Sequence, residues 1–401
     1  MATQLDVAPP PHVPADRIID TDIFNLPGAR EDAHDAWMRL RGPADLIWTP
    51  HYGGHWIATG GHVMEEIYRR TDIFSNKEIG IPPGSMLIPM LPIQKDGEEH
   101  KVYRDIIEPA FRPSAIAALA EEARTLTIEL IEGFKPDGRC EFIADYALVL
   151  PLTIFLSIVD LPQADRQELH GHAEIMTRTA DMEKRHKAFV AIMTYLEGWI
   201  ARRRAEPGDD LLSHVVHSRP FGREATREEL LGICGLLLFG GLDTVTSMMG
   251  FVMRFLATHP EHRRWIIAHP KRISPAIEEI MRRHGVANNT RTATQDYELD
   301  GVTVREGEHV LIPTMLYGLD ERHFDNPLEV DFERAPQWSA TFGTGPHRCP
   351  GMNLARLEMR VLVEEWLKRI PDFEIDPDRP TVQGTGGVSG VLQLPLRWTV
   401  G

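Results

Sequence analysis

Cysteine is scarce in this sequence: 401 residues contain three, Cys140, Cys234 and Cys349. Three thiols make no disulfide framework and point to a reducing compartment, the cytoplasm. Nor can they supply the four cysteine ligands of a typical iron–sulfur cluster. Positive charge is also short, with 43 Lys and Arg against 59 Asp and Glu, a net charge of −16. That balance argues against nucleic acid and against an anionic membrane as partners. No apolar run is long enough to cross a bilayer, because Asp243 and Arg254 interrupt the longest helical apolar pattern, residues 230–258. No signal peptide or hydrophobic anchor opens the chain, and residues 1–20, polar and Pro-rich, read as a flexible arm. Internal repeats, low-complexity segments and long linkers are missing too, so residues 21–401 read as a single domain. What is present is an ordinary globular composition, 42% hydrophobic and 25% charged, with ample core.

Helical spacing dominates the pattern. Residues 31–41, 62–71 and 98–110 read as helices, and 113–206 is almost wholly helical. The pattern at 230–258, ended by Pro260, predicts a helix of about 40 Å at 1.5 Å per residue. In its middle, Gly240 and Gly241 weaken the helix, and the Thr244 hydroxyl can bond the carbonyl four residues back, opening a bulge. The alternative is a break between two helices capped by Asp243 or Thr244. Strands are few and short: 46–48 with 55–58 as a hairpin, 297–304 and 309–313 with Asp300-Gly301 and Glu306-Gly307 as turns, and a last hairpin over 386–398. Residues 79–92 are apolar but hold four prolines, which deny them a regular element. They form either a loop packed on the core or a lid over an apolar ligand. The fold class is mainly α with a small β region.

The most informative stretch is Phe342-Gly-Thr-Gly-Pro-His-Arg-Cys-Pro-Gly351. Its glycines and prolines make a loop, and residues 352–370 resume helical spacing until Pro371. Cys349 therefore lies just before a helix N-terminus, where orphan amides and the helix dipole favour a thiolate. A thiolate so placed is a nucleophile or a metal ligand. His347 is only two residues away, which fixes no base geometry, and zinc would need further ligands at short spacing. A metal that brings its own equatorial ligands remains: haem iron on one axial cysteine.

The same loop resembles the haem-ligand signature of the cytochromes P450, thiolate-haem monooxygenases. Further motifs follow in family order: Gly240-Gly-Leu-Asp-Thr244 and Glu279-Ile-Met-Arg282. The likeness covers nearly the whole chain and is strongest to the bacterial camphor-hydroxylase branch, through Gly240-Gly-Leu-Asp-Thr-Val245, Gly318-Leu-Asp-Glu-Arg322 and Ile370-Pro-Asp-Phe373. It implies a single triangular domain with haem b between the central helix and the cysteine loop. Cys349 would be the axial ligand, and His100, Arg104, Arg291 and His347 would bind the cofactor, its propionates included. Asp243 would gate protons and Thr244 would hold water where oxygen is activated. Glu279, Arg282 and Arg334 would form a structural ion cluster. Ile88, Leu236, Phe239, Ala287 and Val388 would line the substrate pocket.

The implied reaction is hydroxylation of an unactivated C–H with dioxygen, on electrons from a [2Fe–2S] ferredoxin fed by an NAD(P)H-dependent reductase, by a cytoplasmic monomer. The camphor-hydroxylating relative uses a lid tyrosine to hold its substrate's ketone. Residues 79–92 contain none, and Ile88 falls at that place. A compact terpenoid or norisoprenoid other than camphor is the expected substrate. The rival readings are a peroxide-driven peroxygenase of the same fold, against which the Asp243–Thr244 pair argues, and a non-catalytic haem or gas-binding protein.

Overall fold

The computed structural model describes residues 7–400. Its centre is the apolar stretch 227–258, which starts on a reciprocal cap. Thr226 Oγ1 accepts from the Glu229 N–H at 3.2 Å, and a Glu229 carboxylate oxygen accepts from the Thr226 N–H at 2.7 Å. The stretch is two helices, Arg227–Leu242 and Thr244–Thr258, and not one, because Asp243 leaves helical geometry at φ −127°. Against the sequence reading that Asp243 and Arg254 leave its apolar run too short, it is the one stretch among the described residues long and apolar enough to span a membrane. Two-thirds of it is buried inside the protein, as the core helices of a folded domain are.

Around this axis pack Val149–Val159, Arg166–Arg178, Met182–Ala205 and Met352–Arg369. Their apolar faces share one core in which Trp366, Tyr146, Phe142 and Phe251 are fully enclosed. A second core, with Trp37, Trp48 and Trp56, lies on a five-stranded sheet. The sheet order is Leu46–Thr49, His55–Ala58, His309–Pro313, Asn288–Ala293, Phe74–Ser75, and only the pairing of His55–Ala58 with His309–Pro313 is parallel. Tyr297–Leu299 and Val302–Val304 pair across Asp300 and Gly301, both at positive φ, as the Asp-Gly turn predicts.

Three further readings need correction. Residues 7–20 are not a loose arm: Ile18 bridges Trp48, Arg17 donates to Leu46 O at 3.1 Å and pairs with Asp300, and His12 meets Glu308 at 2.9 Å. Met1–Asp6 lie outside the described residues. The last hairpin begins earlier than residue 386, pairing Val382–Gly384 with Gly390–Gln393. Pro395–Arg397 leaves that hairpin for a separate sheet with Arg139–Glu141 and Glu374–Ile375. Finally, the first helix is only Ala33–Met38, capped by the Asp32 carboxylate.

One buried group has a consequence for stability. Glu358, on Met352–Arg369, is fully enclosed with both carboxylate oxygens unpartnered, and burial pushes its pKa up to about 8. Unfolded, the same group ionises near 4.5, as an ordinary glutamate does. Between those values the folded protein holds a proton that the unfolded chain has lost. Stability from this group is therefore intact below about pH 4.5 and falls as pH rises toward 8. Urea unfolding of Glu358→Gln is expected to show a smaller loss between pH 5.5 and 8 than wild type. An identical pH dependence would contradict a neutral Glu358.

Candidate active site between the Cys349 loop and the central helices

The loop that presents Cys349 is built on two glycines. Gly343 and Gly345 sit at φ +66° and +65°, where side chains are strained. They fold the chain back so that the Cys349 N–H donates to Phe342 O at 2.9 Å. The helix Met352–Arg369 starts three residues after Cys349, and the sulfur accepts from the Gly351 and Met352 amides. Burial pushes the thiol's pKa up, while those amides and the charges of Arg104 and Arg348 pull it down. The other two cysteines are buried, and burial raises both thiols, Cys234 to about 12. Among the three, only Cys349 is served by helix-terminal donors, and only it is less than fully buried.

Beside the loop stands a group of basic side chains. His100 is buried and its ring centroid lies 4.2 Å from that of His347. Burial, with the nearby charges of His347 and Arg104, pushes the pKa of His100 down to about 4. His347 Nε2 meets Asp96 at 3.2 Å, while its Nδ1 is buried with no partner. Burial alone would raise the pKa of Asp96, but bonds from His347, Ser75 and Asn76 hold it well below the carboxylate range. Arg291, on Asn288–Ala293, is buried against the Tyr68 ring at 5.5 Å and donates to Thr290 O at 2.8 Å. Among the described residues Arg104 pairs with Glu108, at 3.4 Å. Sequence reasoning missed Asp96, the carboxylate that fixes His347.

The second sequence motif falls at the break in the central helices. Thr244 Oγ1 donates to Gly240 O at 3.2 Å, the back-bond anticipated for a bulge. Asp243 does not cap the second helix. Its carboxylate accepts instead from Arg178 Nη2 at 2.7 Å and Thr177 Oγ1 at 3.0 Å, and it is 2% exposed. Arg178 also donates to Ser247 Oγ at 2.9 Å and to Val388 O at 3.1 Å. One guanidinium thus ties the helix Arg166–Arg178, the central break and the tip of the last hairpin. No local signal in the sequence marked it, since the pairing spans 65 residues.

The pocket residues named from the family pattern gather near this break. Leu236 and Phe239 are half-buried on Arg227–Leu242, and the Phe239 ring stacks on Phe189 at 6.2 Å. Ala287 and Val388 are bridge partners. Ile88 belongs to the loop 79–92, which has no helix or strand. That loop is pinned to the central helix: Leu91 N–H donates to Gly232 O at 3.1 Å, and a Cβ on Gly232 would meet Pro89 O at 2.3 Å. Glu279 takes two bonds of 2.8 Å from Arg282 and one of 3.0 Å from Arg334.

A haem fits this donor set. Gly240 is exposed at the middle of the protein, and a Cβ there would meet nothing within 4 Å. Its neighbour Gly241, by contrast, is pressed on Phe155 at 2.7 Å. The helix is therefore bare of neighbours at Gly240, and the orphaned His347 Nδ1 and the unpaired Arg291 suit carboxylates that the protein itself does not provide.

Comparison with known proteins agrees. The family model described as cytochrome P450 matches residues 273–397. A probable cytochrome P450 127A1 of Sinorhizobium fredii is 31% identical over 400 residues, covering 97% of this chain and 96% of its own. The crystal structure of cytochrome P450 CYP101C1 superposes with a TM-score of 0.88 at 38% identity, over 98% of this chain and all of that one. CYP101J2 superposes equally well at 36% identity, with the same coverage.

Proposed function

The chain belongs to the cytochrome P450 family, and from that membership we propose that it hydroxylates an unactivated C–H bond of a compact apolar terpenoid or norisoprenoid, with Cys349 as its axial haem ligand. It is a bacterial haem-thiolate monooxygenase of the camphor-like branch, carrying haem b. The bound haem supplies activation of dioxygen and oxidation of the C–H bond. Overall, substrate, dioxygen, two electrons and two protons give the alcohol and water.

The rest falls to the chain. The Gly351 and Met352 amides hold the sulfur charge, and His100, Arg104, Arg291 and His347 receive the carboxylates of the cofactor. Leu236, Phe239, Ala287, Val388 and Ile88 offer only apolar surface, which supports a hydrocarbon-like substrate and excludes water around it. Thr244, fixed through Gly240 O, presents its hydroxyl where the helices part and can hold a water there. Asp243 is a buried carboxylate at the break, anchored by Arg178 and Thr177, and passes protons to that water.

Electrons come from a separate [2Fe–2S] ferredoxin fed by an NAD(P)H-dependent reductase. Bacterial relatives of this type use ferredoxins, and this chain has three cysteines against the four that a cluster takes. The free thiols Cys140 and Cys234 support a reducing cytoplasm. The single observation carrying the reading is that the Asp243–Thr244 break follows directly on the helix bearing Leu236 and Phe239 and is tied through Arg178 to Val388. A peroxide-driven enzyme needs no proton delivery there.

Reconstitution with ferredoxin, reductase and NADH is expected to give hydroxylated terpenoid, with far less product from hydrogen peroxide alone. Thr244→Ala should keep consuming NADH but release peroxide in place of product. Asp243→Asn should slow turnover by about 10²-fold, the scale of a lost general acid. Equal product from peroxide, with both variants unimpaired, would overturn the monooxygenase route.

A further inference from the structure

Five arginines are buried among the described residues: Arg185, Arg203, Arg263, Arg282 and Arg291. Three of them meet carboxylates, Arg203 with Asp210, Arg263 with Asp372 and Arg282 with Glu279. Arg291 faces the place proposed above for the cofactor's carboxylates. Arg185 is left over. It is 3% exposed, yet its bonds run only to backbone carbonyls, Thr179 O at 3.2 Å and Ile81 O at 3.4 Å, and Nε has no partner. Burial lowers its pKa to about 10, so it stays charged at neutral pH, with only the more distant Glu78 to offset it. A buried charge without a counter-ion is costly and begs a partner.

Its position indicates which partner. Arg185 lies in the first turn of Met182–Ala205, where this helix, the turn after Arg178 and the loop 79–92 meet. A Cβ on Gly80 of that loop would meet its Nη2 at 3.6 Å. One turn further along the same helix face, Phe189 stacks on Phe239, a residue of the proposed pocket. The loop brings no donor of its own: Ser85 is its only polar side chain, is fully buried and is spent on Pro82 O at 2.5 Å.

We propose that Arg185 is the polar anchor of the substrate, donating to an acceptor oxygen, a ketone or a carboxylate, on an otherwise hydrocarbon skeleton. The proposal rests on the monooxygenase reading and narrows its substrate class. An apolar wall selects the skeleton, and a single buried guanidinium fixes which end of it points away from the reacting carbon. Because the charge is uncompensated, a carboxylate gains more from it than a ketone. Arg185 is thereby a specificity-determining residue whose two carbonyl contacts hold the guanidinium in place.

The test compares three ligands of one bicyclic skeleton, bornane, its ketone camphor and bornane carboxylate, titrated calorimetrically into holoenzyme. Wild type is expected to bind carboxylate best and hydrocarbon worst. Arg185→Met should weaken the two oxygenated ligands about 10- to 100-fold, the worth of a hydrogen bond to a charged group, and leave bornane within about twofold. Arg185→Lys should recover part of the loss. If the Met variant fails to fold, Arg185→Gln keeps a donor for Ile81 O and Thr179 O without the charge, and the same ratio is read from it. Parallel weakening of all three ligands, or no change in any, overturns the anchor and leaves the monooxygenase reading standing. Failure of all three to bind wild type overturns the compact-terpenoid reading and the anchor with it.

Discussion

Glu279→Leu is expected to destabilise the folded enzyme by about 3–5 kcal/mol, the range for removing one member of a buried ion pair. Glu279 is 7% exposed and accepts from Arg282 twice, from Arg334 and from the Asp331 N–H at 3.1 Å. Arg282 in turn donates to Pro327 O and Glu329 O, both at 2.8 Å, and to Gly318 O. One carboxylate therefore neutralises two guanidiniums that hold the segment 318–334 against the helix Ile273–Arg283. Removing it strands Arg282, itself 4% exposed, without a counter-charge. Arg334→Gln should cost less, because Glu279 keeps both Arg282 bonds. Urea unfolding of the two variants gives the comparison. A loss under about 1 kcal/mol for Glu279→Leu, in the range of an exposed pair, would mean the cluster is effectively solvated.

This cluster shows what a single sequence can and cannot reveal. Glu279 and Arg282 are three residues apart on one helix, so their pairing is local and legible once the family pattern is matched. The Cys349 loop is legible for a similar reason: glycines, prolines and a helix start lie in one stretch of ten residues. The pairing of Asp243 with Arg178 left no such trace, because two helices must pack before those side chains meet. Apolar periodicity also ran straight through Asp243, since a break at one residue barely disturbs a pattern that long. The arm expected over residues 1–20 fails for the described residues 7–20 because polar composition records weak hydrophobicity, whereas their order comes from specific partners such as Asp300 and Trp48. Pro395–Arg397 pairs with Arg139–Glu141, some 250 residues earlier, and strands of three residues carry too little alternation to announce a register.

The arginines add a subtler lesson. In sequence, Arg185 stands in Met182-Glu-Lys-Arg-His-Lys187, a charged run that looks like a solvated helix start. In the fold, Lys184 and Lys187 are exposed while Arg185 turns inward. Helical phase, one residue in a run of charges, separates a solvated cation from a buried one.

Cys349→Ala is expected to abolish both terpenoid hydroxylation and the strongly red-shifted Soret band of the reduced carbon monoxide complex, which reports thiolate ligation. The competing thiols are poor candidates on physical grounds. Cys140 lies on the strand Arg139–Glu141 among Asp145 and Glu141, whose charges, after burial, raise its pKa further. Cys234 sits inside the helix Arg227–Leu242, fully buried, with burial the dominant influence on it. Only Cys349 has two amides of a helix start aimed at its sulfur, and cationic Arg104 and Arg348 near enough to favour the anion. Cys140→Ala and Cys234→Ala should therefore leave the band in place. The fold should survive in Cys349→Ala, because the backbone bond from residue 349 to Phe342 O and the helix Met352–Arg369 do not depend on the side chain. Far-ultraviolet circular dichroism separates that outcome from simple unfolding. A Cys349→Ala protein that kept the red-shifted band would assign the ligand to another residue. It would also remove the reason for a glycine-bent loop that ends at a helix N-terminus.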